Sequence, residues 1–256
     1  MTDSDQPVPS LTVVIPAYNE ASRIAETVRR VIAFLSVQTF PTDLLVVDDG
    51  STDTTARTAR RAMEGSPVPA SVIEIPHGGK AAALRAGMIT ATGQQVLFTD
   101  ADLATPLRHL DDLRAVIARG CDVAIGSREG TGATRVGEPE YRHLMGRAFN
   151  ALVRTLLLPG IDDTQCGFKL FTQNALRAIL PRTRLYRDTP ELTGARVTAY
   201  DVELLVIAQG LGYRICSVPV TWVYGAGSKV RPLADSWHNA QDVLSVWRNA
   251  KRGLYR

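Results

Sequence analysis

Five short runs dominated by Val, Ile and Leu lie in the first half of the chain, at 11–15, 43–47, 72–75, 96–99 and 121–125, and a longer segment separates each from the next. Runs of this length with little polar alternation read as strands buried on both faces. The segments between them, at 22–35, around Ala56, Ala59 and Ala62, and at 81–91, have helical spacing. Few topologies accommodate such alternation. It predicts an α/β fold, a mostly parallel, Rossmann-like sheet with helices on both faces.

Each run stops on polar or turn-forming residues. The first leads into Pro16-Ala17-Tyr18-Asn19-Glu20 and the second into Asp48-Asp49-Gly50-Ser51-Thr52-Asp53, where Thr52 or Asp53 can cap the next helix. The third is followed by His77-Gly78-Gly79-Lys80, and the fourth by Asp100-Ala101-Asp102 with Pro106 opening the next segment. In open α/β sheets ligands bind at the carboxyl ends of strands. Alternate side chains of an extended chain share a face, so Asp100 and Asp102 can converge. Converging carboxylates repel unless a cation lies between them, and a hard divalent ion suits oxygen ligands. The competing reading is a solvated turn, because Asp is common at strand ends and N-caps. Gly78 and Gly79 permit close backbone approach, and a helix N-terminus attracts anions, so 77–80 can cradle phosphate. Lys80 either completes that cradle or is a solvated first-turn residue opposing the helix dipole.

Beyond Arg128 the alternation weakens. Residues 129–140 are Gly-rich and charged and are expected to form a mobile loop. Residues 141–158 are helical, with Leu144, Ala148, Leu152 and Leu156 on an apolar stripe that Pro159-Gly160 ends. A helix to about 180, a loop at 185–196, a helix at 199–209, a strand region at 213–223, a flexible basic loop at 225–229 and an amphipathic helix at 233–252 complete the chain. There is no internal repeat and no linker, so the expected plan is a disordered 1–10, one domain over 11–232, and a basic helix over 233–256.

Net charge is only +3 and dense basic blocks are missing, which speaks against a nucleic-acid partner. With no run of eighteen apolar residues and a mean hydropathy of -0.02, no spanning helix is expected. Residues 1–10 have neither a basic n-region nor an apolar run, so no signal peptide is expected. Cys121, Cys166 and Cys216 are odd in number and show no metal-ligand spacing, which points to reduced thiols and a cytoplasmic chain. Cys166 has no adjacent His and reads as packing.

The runs 14–20 and 46–53, Gly79-Lys80 and Asp100-Ala101-Asp102 together resemble the inverting family 2 glycosyltransferases, which have the A-type glycosyltransferase fold. Gly126-Ser127-Arg128, 163–169 and Asp201-Val202-Glu203-Leu204-Leu205 further resemble the dolichyl-phosphate β-glucosyltransferases within that superfamily. The eukaryotic enzymes carry an N-terminal membrane helix that is missing here. Polyprenyl-phosphate mannosyltransferases place Gln where this chain has Ala104, so glucose or a close relative is favoured over mannose.

The resemblance implies that 11–232 is a catalytic domain taking UDP-glucose, or another UDP- or GDP-hexose, and a polyprenyl phosphate. It puts Pro16, Tyr18, Glu20, Asp48, Asp49, Lys80 and Asp100 around the donor nucleotide. Asp100 and Asp102 would hold Mg²⁺ or Mn²⁺, which neutralises the leaving diphosphate. Arg128, Arg142 and Lys229 would bind the acceptor phosphate, although Arg142 can equally be the exposed face of its helix, and Glu20 a helix-start charge. Asp163 and Gln165 would line the sugar cavity with Asp201 or Glu203. These last two stand about 200° apart at ~3.6 residues per turn, and Asp201 is preferred. Asp100, Asp102, Arg128 and Asp201 form the catalytic set. A phosphate acceptor is already anionic at neutral pH and needs no base. A soluble or protein acceptor would need one, and a non-catalytic nucleotide-sugar binder would not need the metal acids. Trp237, Trp247 and the basic residues of the last helix suit a membrane interface, or the helix packs on the domain. The expectation is a peripheral protein at the cytoplasmic membrane face, with a membrane-anchored partner protein possible.

Overall fold

A computed structural model describes residues 10–187, 198–225 and 232–256, with side chains from 238 onward in the last stretch. Strands β1 (Leu11–Ala17), β2 (Thr42–Asp49), β3 (Ala70–Ile75), β4 (Gln95–Thr99), β5 (Val123–Ser127), β7 (Phe168–Thr172) and β8 (Ile215–Pro219) form one sheet in the order β3-β2-β1-β4-β7-β5-β8. Every neighbouring pair is parallel except those made by β7, which runs antiparallel to both β4 and β5. The sequence order reverses around β1, whose neighbours are β2 and β4. That reversal opens the crevice in which open α/β sheets bind ligands.

The inner strands are buried on both faces, as their unbroken apolar runs require, whereas β3 and β8 form the sheet edges and are only partly covered, so the 72–75 run is not the doubly buried strand expected of it. Leu11, Val13 and Ile15 join one core with α1 (Ile24–Ser36), α2 (Thr55–Met63) and α4 (His109–Ala118). Val14, Val96 and Phe98 join a second core with α3 (Gly79–Thr90), α6 (Gln173–Ile179), α7 (Tyr200–Gly210) and α8 (Pro232–Lys251). Small residues set α3 close to the sheet. A Cβ at Gly87 would strike the Val14 and Val47 side chains.

The region expected to be a mobile loop at 129–140 is instead held. Strand β6 (Thr134–Val136) pairs in parallel with β9 (Thr221–Val223), and Arg135 bridges Glu129 at 2.7 Å and Glu138 at 2.6 Å. The strand region 213–223 divides at Val220 into β8 and β9. On α5 (Glu140–Leu156) the stripe of Leu144, Ala148, Leu152 and Leu156 faces outward, and Asn150 and Val153 are the buried residues. Helix α8 packs inward through Val243 and Val246, and its Asp242 accepts from the Tyr186 hydroxyl and the Ala199 amide. The calls for disorder before Ser10 and for a flexible basic loop at 226–229 fall outside the described residues.

A further correction concerns the thiols. Cys121 and Cys216 form a disulfide, with Cα atoms 6.1 Å apart, and Cys166 is the free, buried one. Sequence spacing could not show this, because the parallel pairing of β5 with β8 brings together residues 95 apart. Closing so long a loop restricts the unfolded chain, so Cys216→Ser is expected to lower stability by about 2–4 kcal/mol. Urea unfolding of wild type and variant checks this, alongside thiol counting in denaturant. Three free thiols in the unfolded wild type would refute the bridge.

Candidate active site

The carboxyl end of β4 carries Asp100 and Asp102 on a tight turn. The Leu103 amide donates to the Asp100 carbonyl at 3.0 Å, and Leu103 itself takes a left-handed φ of 49°. The Ala104 amide donates to Asp102 Oδ1 at 3.0 Å. Behind Asp100 stands Gly167, whose carbonyl accepts from the Asp100 amide. Any Cβ at Gly167 would occupy the space of the Asp100 carboxylate and force it to swing away, so glycine lets the carboxylate keep this position. The positive charge facing the acids is the Lys80 ammonium, 2.6 Å from Asp100 Oδ1 at the start of α3. Burial works against that charge, yet Asp100, Asp201 and Asp102 outweigh it and raise the Lys80 pKa. Burial and the Asp100 charge push the Asp102 carboxyl up.

Asp201, in the first turn of α7, accepts from Lys169 Nζ at 3.0 Å. Lys169 is fully buried in β7, donates to the Cys166 carbonyl at 2.5 Å and lies 5.0 Å from the Phe98 ring centre. The family resemblance implies no role for Lys169, although a lysine within an apolar strand run is itself a signal that a carboxylate lies nearby. The structure thus brings Asp100, Asp102, Asp201 and Lys80 together.

A second group forms at the ends of β1 and β2. Asp49 is buried, and its carboxylate binds His77 Nδ1 at 2.8 Å and the Gly78 amide at 2.8 Å. Burial raises its pKa, and the two hydrogen bonds oppose that rise. The Tyr18 and His77 rings stack with centroids 4.0 Å apart. Asp48 accepts from the Ser51 amide through Oδ2, while its buried Oδ1 has no hydrogen-bond partner among the described residues. Asn19, left-handed at φ 52°, ties this edge together: its Oδ1 accepts from the Thr52 amide and its own amide donates to the Ser51 hydroxyl. Pro16 lies buried within β1, and Glu20 pairs with Arg23 at 2.9 Å.

The acceptor-side residues are arranged differently from expectation. Arg128 grips the fully buried Asp163 with Nε and Nη2 at 2.7 and 2.8 Å, and its amide donates to the same carboxylate at 2.9 Å. Burial disfavours both charges, but each partner overcomes this for the other, so the Asp163 pKa is held well below the usual range and that of Arg128 is raised. Asp163 is therefore the partner of Arg128, and its carboxylate is not open to a sugar. The Gln165 amide closes on Asp163 Oδ1 at 3.2 Å, while Gln165 Nε2 is buried without a partner among the described residues. Two aromatic residues missed in the sequence, Trp222 and Tyr224, carry the arginines: Arg128 lies 5.4 Å from the Trp222 ring and Arg142 5.2 Å from the Tyr224 ring. Alternating residues of an extended segment share a side, so carrying the strand reading of 213–223 one residue further would have paired Trp222 with Tyr224. This wall abuts the acids, since the Val223 amide donates to the Ala104 carbonyl at 2.8 Å and a Cβ at Gly225 would come 3.9 Å from Asp102 Oδ2. Lys229 lies outside the described residues.

Of the two acids of α7, Glu203 is the one that lies away from the site. It is fully buried, with its carboxylate accepting from the Arg184 and Leu185 amides and from the Tyr255 hydroxyl at 2.8 Å. It fastens the 184–185 segment and the chain end to α7, on the far side of the helix from a site shared with Asp201. Cys166 is buried and burial pushes its thiol up, which leaves it a packing residue.

The residues fit a hard dication. Asp100 and Asp102 offer only oxygen ligands under excess negative charge, and among the described residues no third Asp, Glu, His or Cys completes a cage. The remaining positions would fall to water and phosphate oxygens, as octahedral Mg²⁺ or Mn²⁺ sites commonly arrange.

Comparison with known proteins adds to this geometry. The sequence profile described as glycosyl transferase family 2 matches residues 12–180. Dolichyl-phosphate beta-glucosyltransferase of Dictyostelium discoideum is 31% identical over 261 residues, covering 96% of this chain and 76% of the relative. The Homo sapiens protein of the same name is 30% identical over 266 residues, covering 98% and 79%. Among solved structures, glucosyl-3-phosphoglycerate synthase from Mycobacterium tuberculosis, in complex with Mn²⁺, UDP-glucose and phosphoglyceric acid, superposes with a TM-score of 0.63. At 21% identity over 94% of this chain and 80% of that one, it shares the fold.

Proposed function

The chain belongs to glycosyltransferase family 2 and is a glycosyltransferase of the A-type fold; from that premise we propose that it transfers glucose from UDP-glucose to the phosphate of a polyprenyl phosphate, with inversion. The observation that carries this reading is the gathering of Asp100, Asp102 and Asp201 around Lys80 at the carboxyl end of β4, in a chain similar over nearly its whole length to dolichyl-phosphate glucosyltransferases.

On this reading the β1 and β2 edge holds the nucleoside. The partnerless Asp48 Oδ1 is suited to accept from a ribose hydroxyl or a base N–H, since a buried acceptor left unpaired costs about 1–3 kcal/mol. Tyr18, Glu20 and Pro16 border the same edge, and Asp49 sets the 77–79 turn that presents α3 to the diphosphate. A divalent ion held by Asp100 and Asp102 would supply Lewis-acid neutralisation of the departing diphosphate. Lys80 adds charge there, and Lys169 fixes the Asp201 carboxylate for the donor sugar's hydroxyls. An acceptor phosphate oxygen forms the new bond to the anomeric carbon as the bond to the diphosphate breaks, and the electron pair leaves with UDP. No proton need be removed from a phosphate whose second pKa is about 6. Arg142 and Lys229 are assigned to that phosphate, with the Arg128 Nη1 that Asp163 leaves uncommitted among the described residues.

The test is transfer from UDP-glucose, UDP-galactose and GDP-mannose to a water-soluble short-chain polyprenyl phosphate, with Mg²⁺, with Mn²⁺ or with EDTA. Glucose transfer that needs the metal and fails with the free polyprenol is expected. Equal use of the free alcohol would overturn the reading. Gly167→Ala is expected to cut that transfer by about 10²-fold, the usual effect of a small misplacement, because the new Cβ displaces Asp100. Unchanged donor affinity in calorimetry would count against it.

A further inference from the structure

Of the ten large apolar side chains left exposed among the described residues, six stand on α5 or the β6–β9 ribbon: Tyr141, Leu144, Leu152, Leu156, Val136 and Val223. Leu144 is 69% exposed and Tyr141 54%. At ~3.6 residues per turn, Tyr141, Leu144, Ala148, Leu152 and Leu156 fall within an arc of about 120°, opposite the buried Asn150 and Val153. Arg147 and Arg154 border the stripe on one side and Arg142 on the other. The acids nearby are Glu140 at the helix start, Glu129 and Glu138, both paired with Arg135, and Asp162, which is paired with Arg154 at 2.7 Å. Val136 and Val223 stand opposite one another in register on the ribbon.

The geometry points to α5 and the β6–β9 ribbon as the surface that docks on an anionic lipid bilayer. An outward apolar stripe edged by arginines is the arrangement that lies in a membrane interface, with chains against the leucines and anionic headgroups against the cations. Arg142, Arg147 and Arg154 edge the stripe, so a second copy would set cations against cations, whereas an anionic bilayer complements them. Helix α8, the sequence-based candidate for this role, turns Val243 and Val246 into the core instead. The same face carries Arg142 and adjoins Arg128, so a docked bilayer would bring a lipid phosphate to the arginine wall; that link, unlike the docking itself, rests on the polyprenyl-phosphate reading.

The experiment is flotation of the full chain with vesicles of phosphatidylcholine containing phosphatidylglycerol, against phosphatidylcholine alone, at low salt and at high salt. Wild type is expected to float with the anionic vesicles at low salt and to be released by high salt. Leu144→Glu with Leu152→Glu should reduce the bound fraction at least tenfold at an unchanged melting temperature, while Leu244→Glu on α8 should float like wild type. Wild type that stays at the bottom, a double variant that floats equally, or loss confined to Leu244→Glu would overturn the proposal. So would a dimer in light scattering that the double variant dissolves. Transfer to the water-soluble acceptor without vesicles is measured beside it: its failure refutes the acceptor reading, whereas flotation decides the surface.

Discussion

Asp102→Asn is expected to lower the proposed glucose transfer by about 10²–10³-fold, the scale of removing one preorganised electrostatic group, while melting within about 2 °C of wild type. The side chain stands at the surface, and its hydrogen bond from the Ala104 amide to Oδ1 can be kept by the asparagine oxygen. What disappears is the negative charge. Loss of that charge relieves repulsion on Asp100, so the fold has no reason to suffer. Asp102→Ala should be equally inactive and slightly less stable, because it also drops the turn hydrogen bond. Steady-state kinetics with metal titration and a thermal melt read both halves. Near-normal turnover in Asp102→Asn would remove the metal assignment.

Arg128→Ala is expected to cost about 3–5 kcal/mol of stability, the range for stranding a buried charge, and to lower the melting temperature by roughly 10 °C or more. Asp163 would keep its carboxylate in the interior with both Nε and Nη2 gone. The pH dependence follows from the depressed pKa of Asp163. In wild type the pair's contribution is complete above the unfolded value of about 4 and is lost as pH falls below it toward the depressed folded value. Without Arg128 the buried carboxyl prefers its proton, so its pKa rises and the variant regains stability as pH falls through that raised value. The gap between the two proteins should therefore be widest near neutrality and narrow toward about pH 4. Urea unfolding at several pH values measures it, and a gap independent of pH would contradict this account. Arg128→Met combined with Asp163→Asn should lose less than Arg128→Ala alone, since no charge is left unpaired.

The two predictions also mark where sequence reasoning reached and where it stopped. Strands β1, β2, β4 and β5 and the acids at the ends of β2 and β4 are legible because burial on both faces leaves an unbroken apolar run, while β3, at the sheet edge, shows itself by its Val and Ile alone. Asp100 and Asp102 were readable as a pair because their spacing is local. Arg128 and Asp163 were each noticed but not as partners, since a contact across 35 residues depends on where β7 inserts. The same holds for Lys169 with Asp201 and for the cysteines. Glu203 and Asp201 point away from one another, as their spacing on a helix requires, and only the position of Tyr255 reveals what Glu203 does. The stripe on α5 was visible as a period, but a period does not say which way it faces.

The insertion of β7 between β4 and β5 has a consequence for how the chain assembles. A ribosome delivers β1 to β4 in an order that lets each pair as it emerges. Strand β5 comes next, yet its sheet partners are β7 and β8, both made later. While 128–167 is being synthesised, β4 presents a bare edge and β5 waits unpaired, which is the window of greatest exposure to edge-to-edge aggregation. Arrival of Phe168–Thr172 closes that edge on both sides. The same event sets Gly167 behind Asp100 and delivers Lys169 to the place that Asp201 will fill. A nascent chain halted at Ser127 should hold four paired strands and remain sticky; β7 then covers β4, α7 adds Asp201 to the candidate site, and β8 covers the last edge of β5.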